Sequence, residues 1–172
     1  MNKKLTKIVL TALFMALCCA GTFIHIPSPA SQGYLNLGDC FVILSGWILG
    51  PFYGFLAGGI GSCLSDAILG YTAYVPATLI IKGLMALLAY LISCKAFKEK
   101  SLIGRILSGF IAEIIMVGGY YLYEAFLVKS FVTPLMGIPG NVVQGLFGIL
   151  LSVIIMTILK KTSILEKVKK IG

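Results

Sequence analysis

The sequence predicts an all-α integral membrane protein of six transmembrane helices, and three observations carry that prediction. Of 172 residues, 59% are hydrophobic and only 12% charged, about half the charged fraction of a typical soluble domain. The mean hydropathy is +1.02. Uncharged apolar runs alternate with short connections in which the basic residues collect. A soluble globule of this length needs a polar shell that 14 basic and 6 acidic residues cannot supply, whereas a bundle facing lipid needs none. At about 20 residues per span, the chain holds roughly five to seven helices. Residues 1–172 are therefore read as a single membrane domain without a separate soluble unit.

Charge placement fixes the helix count. The net charge of +8 would suit nucleic acid only if the basic residues shared one folded face, and they do not. Lys3, Lys4 and Lys7 open the chain, Lys95, Lys98, Lys100 and Arg105 flank one connection, and Lys160, Lys161, Lys167, Lys169 and Lys170 close it. Such clusters flank membrane spans. The first helix is placed at 8–25. A basic start before an apolar run also fits a secretory signal, but this run is longer than a signal core and lacks a clear small-x-small cleavage site. The uncharged stretch from Cys40 to Ser65 has Gly50-Pro51 near its middle, so it holds one kinked span or two. Two spans put the basic connection near residue 100 on the same side as the basic N-terminus, as the positive-inside rule requires.

The remaining helices follow at 37–49, 51–69, 76–94, 104–126 and 139–160, with a basic tail at 161–172. Both termini are expected in the cytoplasm. Lys129 is then the one basic residue outside, and Lys82 is left within the membrane. The second span is short, about 20 Å at 1.5 Å per residue, so it is expected to tilt, thin the bilayer or extend into its flanks. In the tail, Ile164, Leu165, Val168 and Ile171 share one face, which suits either a helix lying on anionic lipid or a solvated end.

Small residues mark close helix contacts. Ala12, Ala16 and Ala20 repeat every four residues on the first helix, a face for packing within the bundle or for docking a partner. Gly54, Gly58, Ser62 and Asp66 form a second stripe that ends at a carboxylate. The five cysteines, Cys18, Cys19, Cys40, Cys63 and Cys94, have neither zinc-site nor redox spacing and read as packing residues.

Ionisable side chains in spans are costly unless they face a cavity or a partner, which makes each a candidate site. Asp39 begins the second helix, Asp66 lies in the last turns of the third, and Lys82 sits about 9 Å inside the fourth. Glu113 shares a helix face with Val117, Tyr120 and Glu124. Asn141 and Gln144 open the sixth helix, and Tyr34, Tyr71, Tyr74, Tyr120, Tyr121 and Tyr123 fall toward the outer side. Together these suggest an outward polar pocket walled by aromatics. The substrate-binding set is Asn36, Asp39, Asp66, Tyr74, Lys82, Glu113, Tyr120, Asn141 and Gln144. Plainer roles remain open: Lys82 could snorkel or pair with Asp66 or Glu113, Asp39 could serve its helix dipole, and Glu124 suits the interface. His25 reads as a loop histidine without metal partners.

Chemistry missing from the sequence narrows the class. No G-x-x-x-x-G-K-[ST] phosphate loop is present, so any ATP dependence belongs to partner subunits. Neither a metal-binding His pair nor a G-x-S-x-G elbow with a plausible base occurs, so no catalytic or metal residues are assigned and the chain is expected not to be an enzyme. There is no convincing inverted repeat of the kind secondary transporters carry.

The ordered segments GYLNLGD (33–39), Gly50-Pro51, AGGIGS (57–62), LSD (64–66), Gly70-Tyr71 and ATLIIKG (77–83) resemble the substrate-binding S components of energy-coupling factor (ECF) vitamin transporters. The match spans most of the first four helices, while the fifth and sixth agree only in general character. The resemblance implies a multi-pass protein of a prokaryotic cell membrane that captures a vitamin outside and delivers it inward. It implies partners as well: a transmembrane coupling subunit, docked through Ala12, Ala16 and Ala20, and two ATPase subunits that use the ATP. No cofactor of the chain's own and no nucleic acid are implied. The loop at about Ile26 to Asn36 would gate the pocket. The pattern around Asp39 and Thr78 to Lys82 looks most like the pyridoxine or hydroxymethylpyrimidine branch rather than the riboflavin branch. A stand-alone transporter or small channel and a membrane assembly protein are the competing classes.

Overall fold

The computed structural model describes residues 3–27, 34–97 and 101–162. The six expected helices are all present: α1 (Lys3–Phe23), α2 (Gly38–Leu49), α3 (Pro51–Ile68), α4 (Val75–Tyr90), α5 (Leu102–Val128) and α6 (Ile138–Lys161). Between α1 and α2 lie two short antiparallel strands, β1 (His25–Pro27) and β2 (Tyr34–Asn36), with His25 opposite Asn36. A π-helical turn, Leu91–Ala96, extends α4, and a 3-10 turn, Thr133–Gly137, leads into α6. The sequence reading did not foresee these two turns or the strands. The tail residues Ile164, Leu165, Val168 and Ile171 lie outside the described residues.

The helix boundaries have local causes. Gly50 takes φ +88°, a backbone that L side chains rarely adopt, and Pro51 then sits in the first turn of α3, where no N–H is needed. The Gly50-Pro51 pair is thus a true break, not a kink. The Ser101 side chain caps α5 by accepting from the Gly104 N–H at 3.1 Å.

Helix α2 occupies the centre, packed by α1, α3, α4 and α6, and nine of its twelve residues are buried. This removes the expected length problem: α2 faces protein, so its roughly 18 Å need not match the bilayer. Close approach is made through small residues. A side chain on Gly46 of α2 would run into the Ala86 backbone of α4, and one on Gly54 would lie 2.9 Å from the Gly46 Cα. Val42, Ile43, Leu44, Trp47, Met85 and Met116 fill the core, and the Trp47 indole donates to the Ser108 hydroxyl at 3.0 Å. Helix stretches 4–23, 75–96, 102–128 and 133–161 are long and apolar enough to cross a membrane, and large apolar side chains such as Ile103, Ile114, Phe126 and Phe147 point outward as lipid-facing surface requires.

Candidate functional site

Six helices that alternate in direction bring the C-terminal ends of α1, α3 and α5 together with the N-terminal ends of α2, α4 and α6. At this end a cleft of about 490 Å³, part of it open to solvent, is lined by residues from every helix except α2. Thr22 comes from α1 and Asn36 from β2. Ser62 and Asp66 come from α3, Thr78 and Lys82 from α4 with Tyr74 just before its first residue, Tyr120 and Glu124 from α5, and Asn141 and Gln144 from α6. Tyr71, from the α3–α4 connection, completes the lining.

Directly behind the cleft, α2 supplies the counter-charge. Lys82 Nζ donates to Asp39 Oδ1, and the two residues are 3% and 0% exposed. A buried pair of this kind holds only if the remaining oxygens are satisfied. Gln144 Nε2 does so, donating to Asp39 Oδ2 at 2.6 Å. Gln144 Oε1 in turn accepts from the Asn36 backbone N–H at 2.7 Å, and Asn36 Oδ1 accepts from the Gly38 N–H at 2.8 Å. The amide orientation is forced, because a carboxylate only accepts and a backbone N–H only donates. A continuous polar chain therefore ties β2 and the entry to α2 to the charge pair.

A second network fixes the aromatic wall. Tyr74 Oη donates to Glu124 Oε1 at 3.2 Å, Thr78 Oγ1 and Tyr120 Oη are 3.0 Å apart, and Tyr123 Oη donates to the Ala73 carbonyl. The Tyr74 ring sits 5.8 to 6.4 Å from those of Tyr71, Tyr120 and Tyr123, within the range of favourable aromatic pairs. Lys82 Nζ lies 5.5 Å from the Tyr120 ring centroid. The Ser62 hydroxyl, on a residue 1% exposed, lines the cleft with no hydrogen-bond partner.

Seven of the nine expected residues line the cleft: Asn36, Asp66, Tyr74, Lys82, Tyr120, Asn141 and Gln144. Two do not. Asp39 lies behind Lys82 as its counter-ion. Glu113 is turned toward α6, where Gly145 and Gly148 leave room for its carboxylate. A Cβ on Gly148 would lie 3.0 Å from Glu113 Oε1 and 2.9 Å from the Asp39 Cβ. Lys82 does not snorkel: its ammonium is buried and paired with Asp39 across the α2–α4 contact. Glu124 is not an interfacial side chain: it is 8% exposed and held by Tyr74. Five lining residues, Thr22, Ser62, Tyr71, Thr78 and Glu124, were not in the expected set. Ser62 stood one turn before Asp66 on the small-residue stripe, and Thr78 one turn before Lys82, so helical spacing from the two charges was the signal available. The side chain of Tyr34 lies outside the described residues. His25 Nδ1 meets the Phe23 carbonyl at 2.9 Å, a local loop contact.

Ala12, Ala16 and Ala20 are all exposed. Helix α1 buries a different face, through Thr11, Phe14, Cys18 and Thr22, so packing inside the bundle does not account for the alanine stripe. The stripe places an alanine at three successive turns of α1.

A lipid-facing helical bundle around a short central helix, with a polar cleft at one end, is the fold of an ECF-transporter S component. The solved S component of a bacterial ECF transporter superposes with a TM-score of 0.76 at 18% identity, covering 92% of this chain and 98% of that one. The family described as ECF-type riboflavin transporter, S component, matches residues 2–161, and the chain belongs to this family of ECF S components. Among relatives, the thiamine precursor transporter HmpT of Lactococcus lactis subsp. cremoris is 28% identical over 171 residues, 98% of this chain and 96% of that protein. An uncharacterized protein of Pyrococcus woesei is 37% identical over 139 residues, 80% of this chain and 90% of that protein.

Proposed function

We propose that this S component captures a small vitamin or vitamin precursor from outside the cell and releases it inward by docking on a transmembrane coupling subunit powered by two ATPase subunits. The observation that carries this reading is the cleft, where hydroxyls, amides, charges and tyrosines from five helices converge at one end of an otherwise apolar bundle. The cleft end faces outward and both termini face the cytoplasm, by the distribution of twelve flanking basic residues. The membrane is that of a prokaryotic cell. Docking uses the exposed face of Ala12, Ala16 and Ala20, where a partner helix can approach closely. The chain holds no cofactor, performs no reaction on its cargo, and leaves ATP to its partners.

The cargo is a hydroxymethylpyrimidine or pyridoxine type of ring. The near full-length relation to HmpT supports the pyrimidine, while the family description supports riboflavin as the competing cargo. Uptake of labelled hydroxymethylpyrimidine, pyridoxine and riboflavin is measured in cells expressing the chain with and without the coupling and ATPase subunits. The expected result is uptake of one of the two smaller rings only when the partners are present. Uptake without partners, or none of any vitamin, overturns the proposal.

A further inference from the structure

The Lys82 ammonium carries three N–H donors, and among the described residues its hydrogen bonding is to Asp39 Oδ1 alone. Lys82 is 3% exposed and lines the cleft. The N–H groups that Asp39 does not take are left for a ligand, which can fill them without breaking the ion pair. Donors left unmet on a buried charge are costly, and a hydrogen bond from a charged donor is roughly twice as strong as one between neutral groups. The Ser62 hydroxyl, also on the cleft surface, has no partner either.

Other hydroxyls of the lining are already engaged. Tyr74 donates to Glu124, Thr78 and Tyr120 share one bond, and Thr22 donates to the Cys18 carbonyl at 2.8 Å. Ser62 and Lys82 each stand one helical turn, about 6 Å, further into the bundle than Asp66 and Thr78. Their helices touch at this depth: a Cβ on Gly58, one turn before Ser62, would lie 3.2 Å from the Lys82 carbonyl oxygen. The inner part of the cleft thus keeps its unused hydrogen-bonding capacity on α3 and α4, chiefly as donors.

We infer that this patch reads a ring nitrogen. Lys82, still paired with Asp39, donates to an unprotonated nitrogen of a heteroaromatic ring, and the Ser62 hydroxyl bonds to a polar atom beside it. A ring of the same shape with CH in place of that nitrogen is rejected, because it leaves the buried Lys82 donor unmet. The inference rests on the proposed role of the cleft and adds which atom of the cargo is recognised, and by which residues.

The test uses the purified full chain in lipid nanodiscs and calorimetric titration with hydroxymethylpyrimidine, pyridoxine and riboflavin, each beside analogues in which CH replaces one ring nitrogen. At least one parent is expected to bind, and one of its analogues to bind at least ~tenfold more weakly, the scale of a hydrogen bond from a charged donor. A nitrogen buried without a donor would instead pay for its lost hydration. Analogues that all bind as well as their parent therefore overturn the inference and leave the binding role of the cleft standing. Ser62→Ala should weaken the parent by about fivefold, and a Lys82→Met, Asp39→Leu variant should bring the parent down to the level of the weaker analogue or below it. An unchanged parent affinity in Ser62→Ala overturns the role of Ser62, and an unchanged gap in the double variant overturns that of Lys82. If no parent binds, the proposed function falls with it. The titrations on the unaltered chain decide whether a ring nitrogen is read even where a variant does not fold.

Discussion

The cleft end of the bundle and the alanine face of α1 are built by opposite means. The cleft needs long-range convergence: Asn36 with Gln144, Asp39 with Lys82 and Gln144, and Tyr74 with Glu124 are each brought together from distant parts of the chain. The alanine face needs only one helix with an alanine at three successive turns. The first is rigid because its polar groups are expensive to leave unmet in a low-dielectric interior. The second is simply open, so a contact there costs little preparation. On the proposed function, binding and docking are therefore separable by mutation.

The largest effect is expected at the charge pair. Lys82→Ala leaves Asp39 buried without a counter-ion and should destabilise the fold by about 3–5 kcal/mol, read as a lowered thermal transition in detergent, with ligand binding lost. A Lys82→Met, Asp39→Leu double variant should regain much of the stability but not the binding. If it regains both, the pair is scaffold alone. Next is the docking face. Ala12→Leu with Ala16→Leu should leave ligand affinity within about twofold while cutting coupled uptake by more than tenfold, a tighter approach being blocked by added bulk. Loss of binding in that variant would erase the separation between the two regions.

Smaller effects sharpen the picture within the cleft. Gln144→Ala removes the link between β2 and Asp39 and should cost about 1–3 kcal/mol. It should also speed ligand release, measured by stopped-flow displacement, because Asn36 loses its anchor. Gly148→Ala places a methyl against Glu113 and Asp39 and should cost about 1–3 kcal/mol by overpacking. Tyr120→Phe deletes only the contact with Thr78 and should cost about 1 kcal/mol. A Tyr120→Phe effect larger than that of Gln144→Ala would mean that the aromatic wall, not the Asn36–Gln144 link, holds the cleft together.

Much of this arrangement was legible in the sequence, for reasons specific to membranes. Charge parity separated α2 from α3 at Gly50-Pro51, because lipid forbids unpaired backbone and basic loops choose one side. Asp66, Lys82 and Gln144 stood out because polar groups are rare in spans. What spacing could not show was the direction each side chain takes around its helix. Asp39 and Glu113 were at the right depth but turn away from the cleft, one toward Lys82 and the other toward Gly145 and Gly148 of α6. Which partner Lys82 takes depends on the α2–α4 crossing, set by Gly46 against Ala86, and that contact has no signature in either segment alone. The central position of α2 was hidden for the same reason: a short apolar run reads alike whether lipid or protein surrounds it.

The central claim is that the cleft between α3, α4, α5 and α6 holds a vitamin-class ring. Native mass spectrometry of the intact chain, purified from cells grown in rich medium, tests it most directly. The account predicts one retained ring compound per chain, lost in a Ser62→Leu, Thr78→Leu variant that fills the cleft and whose folding is checked by its thermal transition. A chain that carries no such compound, or a cleft-filled variant that retains it undiminished, would contradict the account.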